Sequence, residues 1–199
     1  MEPSGKRFLA AYEGDAPPWV IGHAQPVVRE LVARGALRGR VLDVGCGTGE
    51  NAVYVARHGA TVTAIDYAPR AVEQARALAE REGVSITLAV GDALSLAGLP
   101  TDFDVALDTG VFHVFSDEER PRYRDAVAAR LAPGGTLFVV CFSEREPAWG
   151  GPRRVTREEL RSSLEGPFAW EGAEATRYEN RMGSDGGAAH AWLATLRRL

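Results

Sequence analysis

The sequence predicts an α/β protein built on a doubly wound, mostly parallel sheet. Five short apolar segments alternate with amphipathic helical segments from Arg40 onward, a pattern typical of successive β–α units. Right-handed crossovers between such units give a parallel sheet whose ligands lie at the carboxyl ends of the strands. Two further strand-like segments end the chain and predict a closing hairpin.

The first forty residues precede this alternation. The segment 15–19 is turn-like, and Pro26 stands at a plausible first turn of a helix that we predict to end near Ala36. Val27, Leu31 and Val32 are expected to face inward. We predict that residues 1–39 form a lid and helix packed on one domain, and that residues 40–199 form its body.

The repeating units follow in order. Predicted strands are Val41–Val44, Thr61–Ile65, Ser85–Val90, Phe103–Leu107 and Thr136–Phe142, the last preceded by a sharp turn at Pro133-Gly134-Gly135. Predicted helices are Glu50–His58, Ala68–Glu82 and one that begins at Pro121 because proline is tolerated only in a first turn.

The last third differs in pattern. Thr156 and Glu159 have capping-box spacing, which predicts a short helix to Leu164. Strands are then expected at Phe168–Tyr178 and Ala188–Leu196, joined by the turn-rich segment 183–187.

A glycine-rich loop follows the first strand and precedes the first helix of the repeating units. Gly45, Gly47 and Gly49 occupy alternate positions after Asp43, so the backbone can approach a ligand closely beside a helix N-terminus. A dinucleotide fingerprint would have its third glycine at Glu50. The loop therefore favours a nucleoside cofactor with a cationic group, although an NAD-linked oxidoreductase remains an alternative.

Acidic residues recur where strands end. Asp43, Asp66, Asp92 and Asp108 all occupy such positions, so we expect them to meet in one crevice. Any one of these acids taken alone is better explained as a helix cap or a turn former, but the four together favour a shared ligand site.

The composition of the chain limits the kinds of partner and the cellular compartment that we expect. The net charge of −4 provides no basic face for phosphates, so no nucleic-acid partner is expected. Two cysteines fit a reducing compartment, and neither a signal peptide in residues 1–14 nor a membrane-length apolar run is recognisable. We therefore expect a cytoplasmic protein. We expect no metal site, since the histidines are scattered along the sequence.

The segment Asp43-Val44-Gly45-Cys46-Gly47-Thr48-Gly49 resembles the first motif of the class I S-adenosylmethionine-dependent methyltransferases. Asp66, Gly91-Asp92-Ala93 and Pro133-Gly134-Gly135 stand at matching places. The resemblance implies a Rossmann-like sheet of seven strands with the last strand inserted antiparallel.

The resemblance also implies cofactor contacts. Asp66 would accept the ribose hydroxyls, Asp92 and Ala93 would recognise the adenine, and Tyr67 would pack on it. Asp43 and the carbonyls near Asp108 and Thr109 would face the methionyl ammonium and the sulfonium.

Two shorter segments, 17–26 and Phe112-His113-Val114-Phe115, resemble the thiopurine-methyltransferase-like group and bacterial heterocyclic-toxin methyltransferases. This implies a small aromatic or heterocyclic acceptor methylated on oxygen, nitrogen or sulfur. His113 is the candidate general base, because imidazole titrates near neutral pH; otherwise it packs in its loop.

The remaining candidates concern the acceptor. Trp19, Tyr12 and Phe112 are expected to form a lid that holds a flat acceptor and keeps water from the sulfonium, to which Trp19 would contribute cation–π attraction. Arg153, with Arg154 beside it, is expected to bind an acidic group or to lie on the surface. A protein that binds the cofactor without transferring a methyl group is the third reading, and the oligomeric state is left open.

Overall fold

The computed structural model describes residues 8–14, 16–148, 150–182 and 187–199. Its helices are α1 (Pro26–Ala33), α2 (Glu50–Arg57), α3 (Pro69–Arg81), α4 (Arg120–Ala128) and α5 (Arg157–Leu164). Its strands are β1 (Arg40–Val44), β2 (Thr61–Asp66), β3 (Thr87–Val90), β4 (Phe103–Thr109), β5 (Leu131–Phe142), β6 (Phe168–Glu179) and β7 (Ala188–Arg198).

In the described ranges these strands form one seven-stranded sheet in the order β3-β2-β1-β4-β5-β7-β6. β1 to β5 pair in parallel, while β7 lies antiparallel between β5 and β6. The predicted fold class, with its antiparallel C-terminal hairpin, is confirmed. The direction of winding reverses between β1 and β4, where the crossovers leave the sheet on opposite sides and open a crevice.

Both faces of the sheet are covered. Every residue from Thr136 to Phe142 in β5 is buried, as expected for a central strand between two helix layers. Val28 and Leu31 of α1 pack with one face of the sheet, and Tyr123 of α4 and Leu160 of α5 pack with the other. The crevice therefore rests on a rigid scaffold.

Most predicted boundaries differ from the structure by a few residues, as α1 and β3 illustrate. α1 ends at Ala33 rather than near Ala36, because Gly35 takes φ +69° and the N–H groups of Gly35 and Ala36 donate to the carbonyls of Val32 and Leu31, a Schellman motif. β3 begins at Thr87 rather than Ser85.

The predicted turn at 133–135 lies within β5 as a bulge. Pairing passes from Phe103 with Leu131 directly to Val105 with Thr136, so the intervening residues loop out. A Cβ at Gly135 would lie 2.9 Å from the carbonyl oxygen of Ala132, so glycine is required there.

The helix and hairpin of the last third form as predicted. Thr156 and Glu159 make both hydrogen bonds of a capping box at the start of α5. Glu179 pairs with Ala188, while the turn residues 183–186, like Asp15 and residues 1–7, lie outside the described residues. No helix in the described part of the chain is long and apolar enough to cross a membrane.

Candidate active site

The glycine loop after β1 is fixed by packing that admits no side chain. Gly45, Gly47 and Gly49 have φ values of +72°, +56° and +89°, which strain any other residue. A Cβ at Gly45 would lie 2.1 Å from Cγ2 of Val111, and one at Gly49 would lie 2.8 Å from Cβ of Ala75. The loop thus presents backbone, not side chains, to the crevice.

Asp66, at the end of β2, is joined to this loop. Its Oδ2 accepts a hydrogen bond from the N–H of Gly47 at 2.9 Å, and its Oδ1 accepts one from the N–H of Ala68 at 2.9 Å. Burial raises the pKa of Asp66, and these amide bonds partly offset that effect. The carboxyl group is thereby held in one orientation.

A cavity of about 250 Å³ lies over the carboxyl ends of the parallel strands. Ten of the residues predicted from the sequence line it: Tyr12, Trp19, Gly45, Gly47, Asp66, Tyr67, Asp92, Ala93, Thr109 and His113. Five do not reach its surface: Asp43, Gly49, Asp108, Phe112 and Arg153. The sequence therefore located the cavity but not every residue that forms its wall.

Asp43 lies beneath the cavity. It is 2% exposed, and its Oδ2 has no hydrogen-bond partner among the described residues. Burial, followed by repulsion from Asp108 and Asp66, raises the pKa of Asp43 to about 8. A buried carboxyl oxygen without a donor is satisfied by a cationic or hydrogen-bond-donating ligand, as the ammonium of a methionyl group would be. Oγ1 of Thr109, in the cavity wall, is likewise buried without a partner in the described chain.

The carboxylate of Asp108 forms hydrogen bonds within the protein. Its carboxylate accepts hydrogen bonds from the N–H groups of Val111 and Phe112 at 2.8 and 2.9 Å and from the hydroxyl of Tyr123 at 2.6 Å. Burial raises the pKa of Asp108 to about 6 although these bonds lower it. Its side chain therefore shapes the loop after β4, and only its neighbour Thr109 lines the cavity.

His113 belongs to a single 3₁₀ turn, Phe112–Val114, in that loop. Its Nδ1 accepts a hydrogen bond from the backbone N–H of Phe142 at 3.0 Å. An amide N–H can only donate, so the proton of the neutral imidazole is on Nε2. This hydrogen bond orients the ring through Nδ1, and the general-base role predicted for His113 from the sequence stays a prediction.

Two residues that were predicted to contact the acceptor do not line the cavity. Phe112 is fully buried against Tyr123, with the guanidinium of Arg120 at 4.7 Å from its ring. Arg153 forms ion pairs with Asp117 and Glu159. The lid and anion-binding roles predicted for Phe112 and Arg153 therefore lack a geometric basis.

Tyr12 and Trp19 do lie over the cavity. The indole N–H of Trp19 donates to the hydroxyl of Tyr12 at 2.9 Å, and their rings meet edge to face at 6.2 Å. A Cβ at Gly47 would lie 3.3 Å from the same hydroxyl. The aromatic pair therefore covers the glycine loop, on the cofactor side.

The C-terminal strands supply wall residues that sequence reasoning missed. Tyr178 of β6 lines the cavity, and its ring meets that of Phe142 edge to face at 5.4 Å. Gln25, ahead of α1, exchanges two 2.8 Å hydrogen bonds with the backbone of Glu179. The only sequence signal was an aromatic residue near the end of a predicted strand.

The fold and this site define a class I S-adenosylmethionine-dependent methyltransferase. A family model for a methyltransferase domain matches residues 41–135. The chain is 33% identical to 2-heptyl-1-hydroxyquinolin-4(1H)-one methyltransferase from Mycobacteroides abscessus, over 91% of this chain and 85% of that protein. The chain belongs to this methyltransferase family, and its cofactor is S-adenosylmethionine.

Solved structures agree on the fold. A structure from work on the conversion of a disulfide bond into a thioacetal group during echinomycin biosynthesis is 29% identical, with a TM-score of 0.89 over 98% of this chain and 92% of that one. The 1,6-didemethyltoxoflavin-N1-methyltransferase of Burkholderia thailandensis is 24% identical, with a TM-score of 0.77 over 97% and 86% of the two chains. The second likeness concerns the fold alone.

Proposed function

We propose that the protein transfers a methyl group from S-adenosylmethionine to an oxygen, nitrogen or sulfur atom of a small aromatic or heterocyclic molecule in the cytoplasm. The observation that carries this proposal is a single cavity that joins the glycine loop and Asp66 to an apolar wall containing Phe142 and Tyr178. The methyltransferase from Mycobacteroides abscessus, named for a hydroxyquinolinone, supports the same acceptor class.

On the cofactor side, Asp66 would hold the ribose, and Asp92 with the N–H of Ala93 would hold the adenine. The buried Oγ1 of Thr109, in the cavity wall, would contact the methionyl end, and the carboxyl group of Asp43 beneath that wall would attract its ammonium. The cofactor supplies an electrophilic methyl group on a cationic sulfur. The chain contributes alignment of the two molecules and exclusion of water.

Residues 1–39 are proposed to serve as the lid of this site. Tyr12 and Trp19 lie over the glycine loop, and the lid is tied to the C-terminal hairpin by Gln25 and by Arg181, whose N–H donates to the carbonyl of Pro18 at 2.9 Å. These contacts support a lid that belongs to the same domain as the sheet.

The test combines calorimetry with product detection. We expect S-adenosylhomocysteine to bind the wild-type protein and to bind Asp66→Asn at least tenfold more weakly, because the variant carries one acceptor oxygen in place of two. Asp102→Asn, at an exposed position outside the helices and strands, is the matched control. A panel of phenols, thiols and heterocycles is then screened with S-adenosylmethionine for methylated product by mass spectrometry. Cofactor binding without any methylated product would contradict the proposed methyl transfer and support only cofactor binding.

A further inference from the structure

A buried carboxylate outside the cavity holds one part of the cavity wall. Asp108 is fully buried at the end of β4. Its Oδ1 accepts a hydrogen bond from the N–H of Val111, and its Oδ2 accepts one from the N–H of Phe112. Both donors belong to the turn that follows β4, and an ionised carboxylate binds such donors more strongly than a neutral acceptor does. The conformation of this turn therefore depends on the orientation of the Asp108 side chain.

The hydroxyl group of Tyr123, on α4, fixes that orientation. It donates a hydrogen bond of 2.6 Å to Oδ2 of Asp108, the oxygen that also accepts from the N–H of Phe112. Tyr123 is fully buried, its ring packs on those of Phe112 and Phe115, and it does not line the cavity. Burial raises the pKa of Tyr123, so the phenol keeps its proton and remains a donor. A residue outside the cavity therefore orients the carboxylate.

The turn held in this way packs against the glycine loop. A Cβ on Gly45 would lie 2.1 Å from Cγ2 of Val111, so this methyl group rests directly on the backbone of the loop. A Cβ on Gly110 would lie 3.0 Å from the hydroxyl oxygen of Tyr178. Gly45, Gly110 and Val111 all line the cavity. Because close-packed groups transmit small displacements to their neighbours, a shift of the turn would move the backbone that faces the cofactor.

We infer that Tyr123 is a positioning residue for cofactor binding, because through Asp108 it holds the turn 109–112 against the glycine loop in the geometry that accepts the cofactor. Neither Tyr123 nor Asp108 lines the cavity, so the pair acts on the cofactor only through the turn. The inference goes beyond the proposed methyl transfer. It concerns the cofactor alone and holds for any acceptor.

Tyr123→Phe is the informative variant. The ring stays in the core, the substitution itself changes no charge, and one hydrogen bond to Oδ2 of Asp108 is lost. When only a fraction of the molecules keeps the binding geometry, the apparent dissociation constant rises by the reciprocal of that fraction. Because a hydrogen bond to a charged group is strong enough to change this fraction about tenfold, we expect S-adenosylhomocysteine to bind Tyr123→Phe about 5- to 20-fold more weakly than wild type.

Val127→Ala is the matched control. Val127 lies one turn after Tyr123 on α4 and is fully buried in the same core. Its truncation lowers stability without removing a hydrogen bond of Asp108. Calorimetry at one pH should give this variant an affinity for S-adenosylhomocysteine within about twofold of wild type, while urea denaturation reports the stability of both variants. Wild-type affinity in Tyr123→Phe, or an equal loss of affinity in Val127→Ala, would show that Tyr123 is merely structural and would overturn the inference.

A double-mutant cycle tests the route through the turn. Val111→Ala shortens the side chain that rests on Gly45. Since Tyr123 is inferred to act through this contact, adding Tyr123→Phe to Val111→Ala should weaken cofactor binding by less than about threefold, rather than by the full loss of the single variant. Independent losses, in which the double variant shows the product of the two single effects, would also overturn the inference.

Failure of this inference is distinguishable from failure of the proposed function. The binding measurements need no acceptor, so the absence of any methylated product would refute the proposed methyl transfer and leave the effect of Tyr123→Phe on affinity unchanged. With an accepted substrate, we expect the KM for S-adenosylmethionine to rise in Tyr123→Phe and not in Val127→Ala. An active Tyr123→Phe enzyme with wild-type kcat and KM would contradict the role of Tyr123 while the proposed methyl transfer stands.

Discussion

Replacement of Asp43 by asparagine should stabilise the free protein while weakening cofactor binding. The carboxyl is fully buried, and its pKa of about 8 lies above the ordinary value of 3.8. The folded state therefore binds more protons than the unfolded state between about pH 4 and pH 8. The free energy of unfolding falls as pH rises through that window, by about 1.4 kcal/mol per pH unit.

The size of the effect follows from this slope. At pH 7, about 3 pH units above the ordinary aspartate pKa, Asp43 costs the folded protein about 4 kcal/mol. Asp43→Asn removes the titration, so the difference in unfolding free energy between variant and wild type should grow by about 3 kcal/mol from pH 5 to pH 7. Urea denaturation at pH 5, 6 and 7 measures it, and Asp125→Asn, an exposed partner of Arg124, is the control.

Cofactor binding should show the opposite dependence. A cationic ligand beside Asp43 stabilises its ionised form, so wild-type affinity for S-adenosylhomocysteine should rise by up to tenfold per pH unit from pH 5 to pH 7, with release of close to one proton. Calorimetry in two buffers of different ionisation enthalpy counts that proton. Asp43→Asn should bind more weakly, with little pH dependence. Affinity that does not change with pH in the wild type would refute this account of Asp43.

Three further outcomes are expected. Gly45→Ala should destabilise the protein by about 2 to 4 kcal/mol and abolish cofactor binding, because its Cβ would clash with Val111. The control Gly98→Ala, at φ +76° in open space, should cost only about 1 kcal/mol. Equal urea midpoints for the two variants would contradict the packing argument. Thr156→Ala should lose about 1 kcal/mol through its capping box, measured by thermal unfolding, whereas an unchanged melting temperature would argue against the cap. Arg153→Ala should leave kcat/KM within about twofold of wild type, because its partners are Asp117 and Glu159 rather than the acceptor; a tenfold rise in KM would restore the anion-binding role.

Features set by neighbours in the sequence were predictable. The glycine loop requires positive φ within a few residues, and the capping box of α5 links residues only three apart. The strands of the parallel sheet could be located because burial on both faces produces continuous apolar runs. Their carboxyl ends then placed Asp66 and Asp92 on one cavity without any knowledge of contacts.

Features set by distant pairing were not predictable. Phe112 and His113 are adjacent, yet the 3₁₀ turn directs one ring toward Tyr123 and the other toward Phe142. Sequence reasoning treated both as residues of the acceptor site. Which of the two reaches the cavity depends on the carboxylate of Asp108, whose hydrogen bonds to the loop amides fix the turn.

The hydrogen bond of His113 was likewise not predictable from the sequence, because its partner is distant in the chain. A histidine side chain ordinarily titrates near neutral pH, and this property alone suggested a general base. Its orientation depends on the N–H of Phe142, which lies 29 residues away in sequence and on the next strand of the sheet. Because β4 and β5 hold that N–H against Nδ1, the orientation and the neutral tautomer of the imidazole depend on residues far apart in the sequence.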